Sequence, residues 1–179
     1  MKRIGAAAIL LLVFSSASAD NGDAEWRVGG SLAFSDYKRD DNSVDNNGMG
    51  LELFAQYRFN SWVGVEGSYY VSPEFEGDAT PTVAGGETET TYQGVALNGI
   101  GYLPIRAERL DLFVKAGYFN FFDVNIKTDG VVSDTSSDDG LALGAGFSVR
   151  ATEQIGFRVE LDWYDVTGAE LWTADIGIE

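Results

Sequence analysis

Eight segments of this chain alternate apolar and polar side chains with a period of two, which limits it to folds built from strands with two chemically different faces. In residues 25–36, Trp26, Val28, Leu32 and Phe34 share one face and Arg27, Ser31 and Ser35 the other. Residues 48–59 set Met49, Leu51, Leu53, Ala55, Tyr57 and Phe59 against Glu52, Gln56 and Arg58, and residues 62–71 set Val63, Val65, Tyr69 and Val71 against Glu66 and Ser68. In residues 91–103, Val95, Leu97 and Leu103 oppose Asn98, but Ile100 and Tyr102 fall on its side, so the facing of this segment stays open. Residues 109–119 place Leu110, Leu112, Val114, Ala116 and Tyr118 opposite Asp111 and Lys115, while residues 141–150 alternate Leu141, Leu143, Ala145, Phe147 and Val149 with Ala142, Gly144, Gly146 and Ser148. The pattern is sharpest in residues 155–165, with Ile155, Phe157, Val159, Leu161 and Trp163 against Arg158, Glu160 and Asp162. Residues 169–179 close the series, Trp172, Ala174, Ile176 and Ile178 facing away from Thr173, Asp175 and Glu179.

The connections alternate long and short, as a strand barrel anchored in an outer membrane requires. Residues 37–47, 72–90 and 120–140 are long, polar and acidic; residues 60–61, 104–108 and 151–154 are short, and residues 166–168 join the last pair. Pro73, Pro81 and Pro104 all fall in connections, consistent with strands hydrogen-bonded on both edges.

Before the first strand, Lys2 and Arg3, the apolar run 4–14 and Ala17-Ser18-Ala19 read as an export signal, with cleavage expected after Ala19. That divides the chain into a signal peptide, residues 1–19, and a barrel domain, residues 20–179. The apolar run is shorter than the roughly 20 residues a spanning helix needs, so crossing a membrane falls to strands. With Lys2 and Arg3 removed, 10 basic residues stand against 28 acidic ones, a formal charge of −18. Such a surface repels a phosphate backbone, so no nucleic-acid partner is expected. The absence of cysteine excludes a disulfide framework and a lipid-bearing cysteine.

Period-two alternation fits a soluble lipocalin-like barrel with its apolar face inward as well as a membrane barrel with that face outward. The polar face carries both signs of charge at mid-strand, Glu52, Arg58, Glu66, Lys115, Arg158, Glu160 and Asp162, diluted by Gly, Ala and Ser. Small residues and paired charges suit a narrow lumen, which bulky apolar groups would overfill. The apolar face carries Trp26, Phe59, Tyr69, Tyr118, Phe147, Phe157, Trp163 and Trp172 toward strand ends, the pattern of an interfacial girdle. The expected fold is therefore all-β, an eight-stranded antiparallel up-and-down transmembrane β-barrel.

On the stretches Tyr57-Arg58-Phe59-Asn60-Ser61-Trp62-Val63-Gly64-Val65-Glu66, Val114-Lys115-Ala116-Gly117-Tyr118 and Leu143-Gly144-Ala145-Gly146-Phe147, the chain resembles the outer-membrane protein β-barrel domain family, akin to the OmpA N-terminal barrel and OmpX-like proteins. The resemblance implies an outer-membrane location in a Gram-negative envelope, assembly by the barrel assembly machinery, and lipid or lipopolysaccharide as surroundings. It also implies that re-pairing of lumen charges could open a narrow ion path. Family members usually close on an aromatic residue, where the last residue here is Glu179.

Two constellations stand out as candidate sites. Glu52, Glu66 and Glu160 are expected to pair with Arg58, Lys115 and Arg158 as a lumen plug, because an unpaired buried charge is costly. Asp36, Asp40, Asp41 and Asp45, and Asp123, Asp129, Asp134, Asp138 and Asp139, give acidic loops that could bind calcium or bridge to lipopolysaccharide, although residues 40–45 lack EF-hand spacing. With neither histidine nor cysteine, no Ser-His-Asp or thiol machinery can be built. The expectation is a monomer without enzymatic activity, cofactor or metal, serving membrane integrity and surface interaction; a narrow porin-like channel for ions or small solutes is the alternative.

Overall fold

The structure, a computed structural model, describes residues 24–39, 45–73, 75–78, 87–103, 109–128 and 131–179. Among the described residues nine strands follow one another, β1 (Glu25–Arg39), β2 (Asp45–Arg58), β3 (Val63–Val71), β4 (Phe75–Asp78), β5 (Glu87–Leu103), β6 (Leu110–Thr128), β7 (Val131–Arg150), β8 (Gly156–Val166) and β9 (Ala169–Ile178). Consecutive strands pair antiparallel except β3 and β4, β1 pairs with β9, and β3 pairs with β5, so the sheet closes on itself. The short β4 continues the line of β3 along β5, pairing Phe75 with Thr90 after β3 has paired Val71 with Gln93. Eight staves result, in a closed up-and-down barrel. The register keeps each strand's alternation in phase with its neighbours; Leu51 lies beside Leu32 and Val71, and Glu52 beside Ser31 and Tyr70.

In each stave the polar set points to the axis and the apolar set away from it. Glu52, Glu66 and Arg158 are no more than 1% exposed, whereas Leu51, Val114 and Leu161 are 49–55% exposed. A barrel folded for water would show the reverse. Trp62 and Ile155, assigned to strands by their apolar character, lie just outside β3 and β8 in the short turns.

Three features depart from the sequence reading. First, all three long connections are partly ladder: β1 and β2 stay paired to Lys38 and Asp45, β4 pairs with Glu87–Thr90 of β5 inside residues 72–90, and residues 120–140 are mostly ladder because β6 and β7 stay paired up to Thr128 and Val131. Beyond an apolar band, water meets both faces of a hairpin, so polar residues occupy both parities while the backbone hydrogen bonds continue. Register shifts between Phe121 and Val124 and between Ile126 and Lys127 accommodate this extension. Second, the open facing of the fourth segment resolves with Ile100 and Tyr102 inside, buried beside Phe113.

Third, the lumen is not reserved for small residues and charges, since Phe54, Tyr70, Tyr92, Phe119, Phe121 and Tyr164 are also buried in it. Inward-facing glycines make the room. A Cβ on Gly94 would lie 2.5 Å from Phe121 Cδ1, and one on Gly146 would lie 2.7 Å from Phe113 Cζ. Where the wall is backbone only, a ring from a neighbouring strand fills the space. The β8–β9 turn uses glycine differently: Gly168 sits at φ 70°, in the left-handed region. The segment 1–19 with its cleavage point, Asp40, Asp41, Asp129, Pro81 and Pro104 lie outside the described residues.

Candidate functional site in the lumen

The inward positions form successive tiers along the axis. At the short-turn end, Arg27 of β1 reaches Glu25 (3.0 Å), Asp111 (3.2 Å) and Glu179 (3.0 Å), and Arg58 of β2 meets Asp111 from the other side at 3.2 Å. Arg58 also lies 3.9 Å above the centre of the Tyr102 ring and donates to the carbonyls of Asn60 and Ser61 in the adjoining turn.

Arg158 occupies the next tier. Its guanidinium carbon sits between the rings of Phe54 (4.3 Å) and Phe113 (4.5 Å). Its nitrogens approach Glu160 Oε2 at 2.7 Å and Glu66 Oε2 at 2.6 Å, and donate to Gln56 Oε1 at 3.1 Å. The Gln56 amide in turn donates to the Tyr102 hydroxyl. A planar guanidinium suits this position, since its edge serves carboxylates while its faces stack on rings.

Deeper in, Lys115 Nζ stands 3.3 Å from Glu66 Oε1, 3.1 Å from Glu160 Oε2 and 3.0 Å from Asp162 Oδ2. Strand periodicity places Arg158, Glu160 and Asp162 on one face of β8, so a single strand supplies alternating members of the network. Asp175 of β9 accepts from Ser31 Oγ (3.1 Å) and Thr173 Oγ1 (2.7 Å). Toward the hairpin end, Tyr70, Phe119, Phe121, Tyr92 and Tyr164 stack into an aromatic plug with ring centres 4.5–6.1 Å apart. Tyr70 and Ser35 share a 2.7 Å hydroxyl hydrogen bond beneath it.

Of the six charges singled out from sequence, Glu66, Lys115, Arg158 and Glu160 thus meet in one network. Arg58 stays at the mouth with Asp111, and Glu52 enters the same tier as Lys115 with neither oxygen hydrogen-bonded. The sequence reading gave no partner role to Arg27, Asp111, Glu179, Asp162 or Asp175. Their parity on the polar face was visible; their convergence depends on register between distant strands.

The aromatic positions all fall on the outer surface. Trp26 packs on Tyr57 (4.9 Å between centres) and Tyr57 on Phe59 (5.1 Å) near the short turns, with Phe157 and Phe147 exposed toward that end. Toward the hairpin end, half-buried Trp163 is directly opposite exposed Trp172 in the β8–β9 register, Tyr118 is exposed, and Tyr69 stacks on Phe122. Exposed Leu53, Leu97, Val114, Leu143, Leu161 and Ile176 fill the band between. Of the acidic loop residues, Asp36 and Asp139 are exposed, and Asp138 is tied to the β8–β9 turn by two 2.8 Å hydrogen bonds from Thr167.

A closed barrel with an outward apolar band, aromatic edges and a charged, filled interior defines a transmembrane β-barrel of the outer-membrane type. The chain belongs to the outer membrane protein beta-barrel domain family, which it matches over residues 6–179. Members are structural outer-membrane barrels, generally non-enzymatic. Solved structures with the same fold include Ail of Yersinia pestis in complex with the heparin analogue sucrose octasulfate (20% identity, TM-score 0.63, covering 87% of this chain and 97% of that one). Neisserial surface protein A is similar at 14% identity and TM-score 0.67 (87% and 96% covered), and the N-terminal barrel of Pseudomonas aeruginosa OprF at 17% and 0.54 (88% and 96%). No curated protein sequence matches the chain.

Proposed function

We propose that this protein is a non-conducting structural barrel that supports the outer membrane and presents acidic hairpins for surface interaction. The filled lumen carries the reading: ion pairs, a cation–ring stack and an aromatic plug occupy successive levels of the axis, and eight staves leave little room beyond side chains. The extension of β6 and β7 to Thr128 and Val131 supports a role for the hairpin end in contacts with the surroundings, since exposed loops on a rigid scaffold are where binding concentrates. Lipopolysaccharide, bridged by divalent cations, is the partner this acidic end fits. Ail takes a polysulfated ligand, but a net charge of −16 disfavours a polyanion bound directly here. The chain reaches its site by export with cleavage after Ala19 and insertion by the assembly machinery, and it works as a monomer without enzymatic activity.

The competing reading is a narrow ion or solute channel, favoured by the fact that Arg158 and Lys115 share Glu66 and Glu160 and so could exchange partners. Planar-bilayer recording separates the two. Purified protein reconstituted at voltages that open a known porin is expected to give no stepwise current above background. Reproducible unitary steps, lost on Glu66→Ala, would establish the channel and dismiss the structural reading.

A further inference from the structure

Five carboxylates, Glu52, Glu66, Glu160, Asp162 and Asp175, converge in the middle of the lumen on only two cations, Lys115 and Arg158, and all seven are buried. The group carries a formal excess of three negative charges in a place where an uncompensated charge is expensive. Part of the excess has a visible remedy. Asp175 takes two hydroxyl hydrogen bonds, and Glu66 is shared by Lys115 and Arg158.

The remainder collects at one point. Glu52 from β2 and Glu160 and Asp162 from β8 each bring an oxygen within 4.8 Å of the others. Lys115 engages Glu160 Oε2 and Asp162 Oδ2. Glu160 Oε1, Asp162 Oδ1 and both oxygens of Glu52 are left without hydrogen-bond partners. Glu52 is 1% exposed and comes from a different wall, so it is a buried, unpartnered group aimed at a pair that β8 already holds in place. Beside Asp162, in direct register, the wall residue is Gly144, where a Cβ would collide with Asp162 Oδ1. The missing side chain makes room for that oxygen and for the Lys115 stem, whose Cε would lie 2.6 Å from the same Cβ.

We propose that Glu52, Glu160 and Asp162 form a divalent-cation site inside the barrel, a role distinct from the closed-lumen reading and independent of what the hairpins bind. An all-oxygen, carboxylate-rich set selects a hard ion of the magnesium, calcium or manganese kind, with water completing the shell. A dication lowers the excess from three charges to one, close to the charge that the hydroxyls around Asp175 accommodate; a monovalent ion leaves two. With the aromatic plug on one side and Arg158 on the other, the ion enters as the barrel closes and is slow to leave.

The test refolds the full barrel into detergent micelles from denaturant containing chelator, with Mn²⁺ as the probe, then passes it through metal-free buffer. The expected result is about one Mn²⁺ retained per barrel, with a six-coordinate oxygen-ligand spectrum by electron paramagnetic resonance. Glu52→Gln and Asp162→Asn should weaken retention by at least the roughly 10–100-fold that loss of even an outer-shell partner costs. Glu170→Gln, on the exposed surface, should retain the ion as the unsubstituted barrel does. Should the substituted barrels fail to close, the unsubstituted one suffices: its unfolding midpoint should rise with Mn²⁺ and not with choline at equal ionic strength. Absence of retained metal, or retention unchanged in well-folded Glu52→Gln and Asp162→Asn barrels, would overturn the proposal. So would a greater heat resistance of Glu52→Gln in metal-free buffer with no response of the parent to Mn²⁺, which would show that protons balance the cluster.

Discussion

Arg158→Met is expected to lower the stability of the folded barrel by about 3–5 kcal/mol, the cost of breaking a buried ion pair from one side. The guanidinium serves Glu66 at 2.6 Å, Glu160 at 2.7 Å and Gln56 at 3.1 Å while filling the gap between Phe54 and Phe113. Methionine keeps much of the packing and none of the charge, so the loss reports the stranded carboxylates and not a cavity. Lys115 cannot take over both, because its nitrogen already lies within 3.3 Å of Glu66, Glu160 and Asp162. Denaturant unfolding in detergent micelles, followed by tryptophan emission, measures the change. Adding Glu66→Gln to Arg158→Met should recover part of it, since one stranded charge is then gone. A loss below about 1 kcal/mol would place the pair in water-like surroundings, where ion pairs are worth that little.

Leu161→Arg is the second large effect. Leu161 is the central residue of β8, 50% exposed on the outer face, with Ala145 and Ala174 beside it in register. An arginine at the midplane of a lipid-facing strand costs about 2–4 kcal/mol, falling toward the interfaces. A change to arginine at Ala151, in the exposed turn between β7 and β8, should stay within about 0.5 kcal/mol. The contrast is read by unfolding in lipid vesicles, where the hydrocarbon is real, and equal effects at the two positions would argue against a lipid-facing Leu161.

Most of the barrel was legible because lipid outside and charge inside enforce a two-residue period on every crossing segment. Residues 155–163 show it without exception, and there Leu161 and Arg158 have the facing that the pattern implies. Where the interior itself turns apolar the signal fails: Ile100 and Tyr102 line the lumen beside Phe113, so parity in that segment mixes both kinds of residue. The signal also ends where the membrane does. In the β6–β7 extension neither face has lipid to satisfy, and a ladder reaching Thr128 reads in sequence as a loop.

Partner choice inside the lumen was beyond reach for a different reason. Lys115 meets Glu66, 49 residues away, and Arg158 meets Gln56, 102 residues away, and each contact is fixed by the stagger accumulated around the closed sheet. Sequence showed which residues point inward, but not at what height. Hence Arg58, with the same parity as Glu52, comes to rest at the mouth against Asp111. The inward glycines were visible too, yet the rings they accommodate come from neighbouring strands.

The most direct test of the outward apolar band uses the absence of native cysteine. Single substitutions Leu51→Cys, Val65→Cys, Val114→Cys and Leu161→Cys, each carrying a nitroxide, can be measured in bilayers for relaxation by oxygen and by a water-soluble nickel chelate. All four labels are expected to be relaxed strongly by oxygen and hardly at all by the chelate. Labels reached by the chelate, or immobilised and shielded from both agents, would contradict a lipid-facing band.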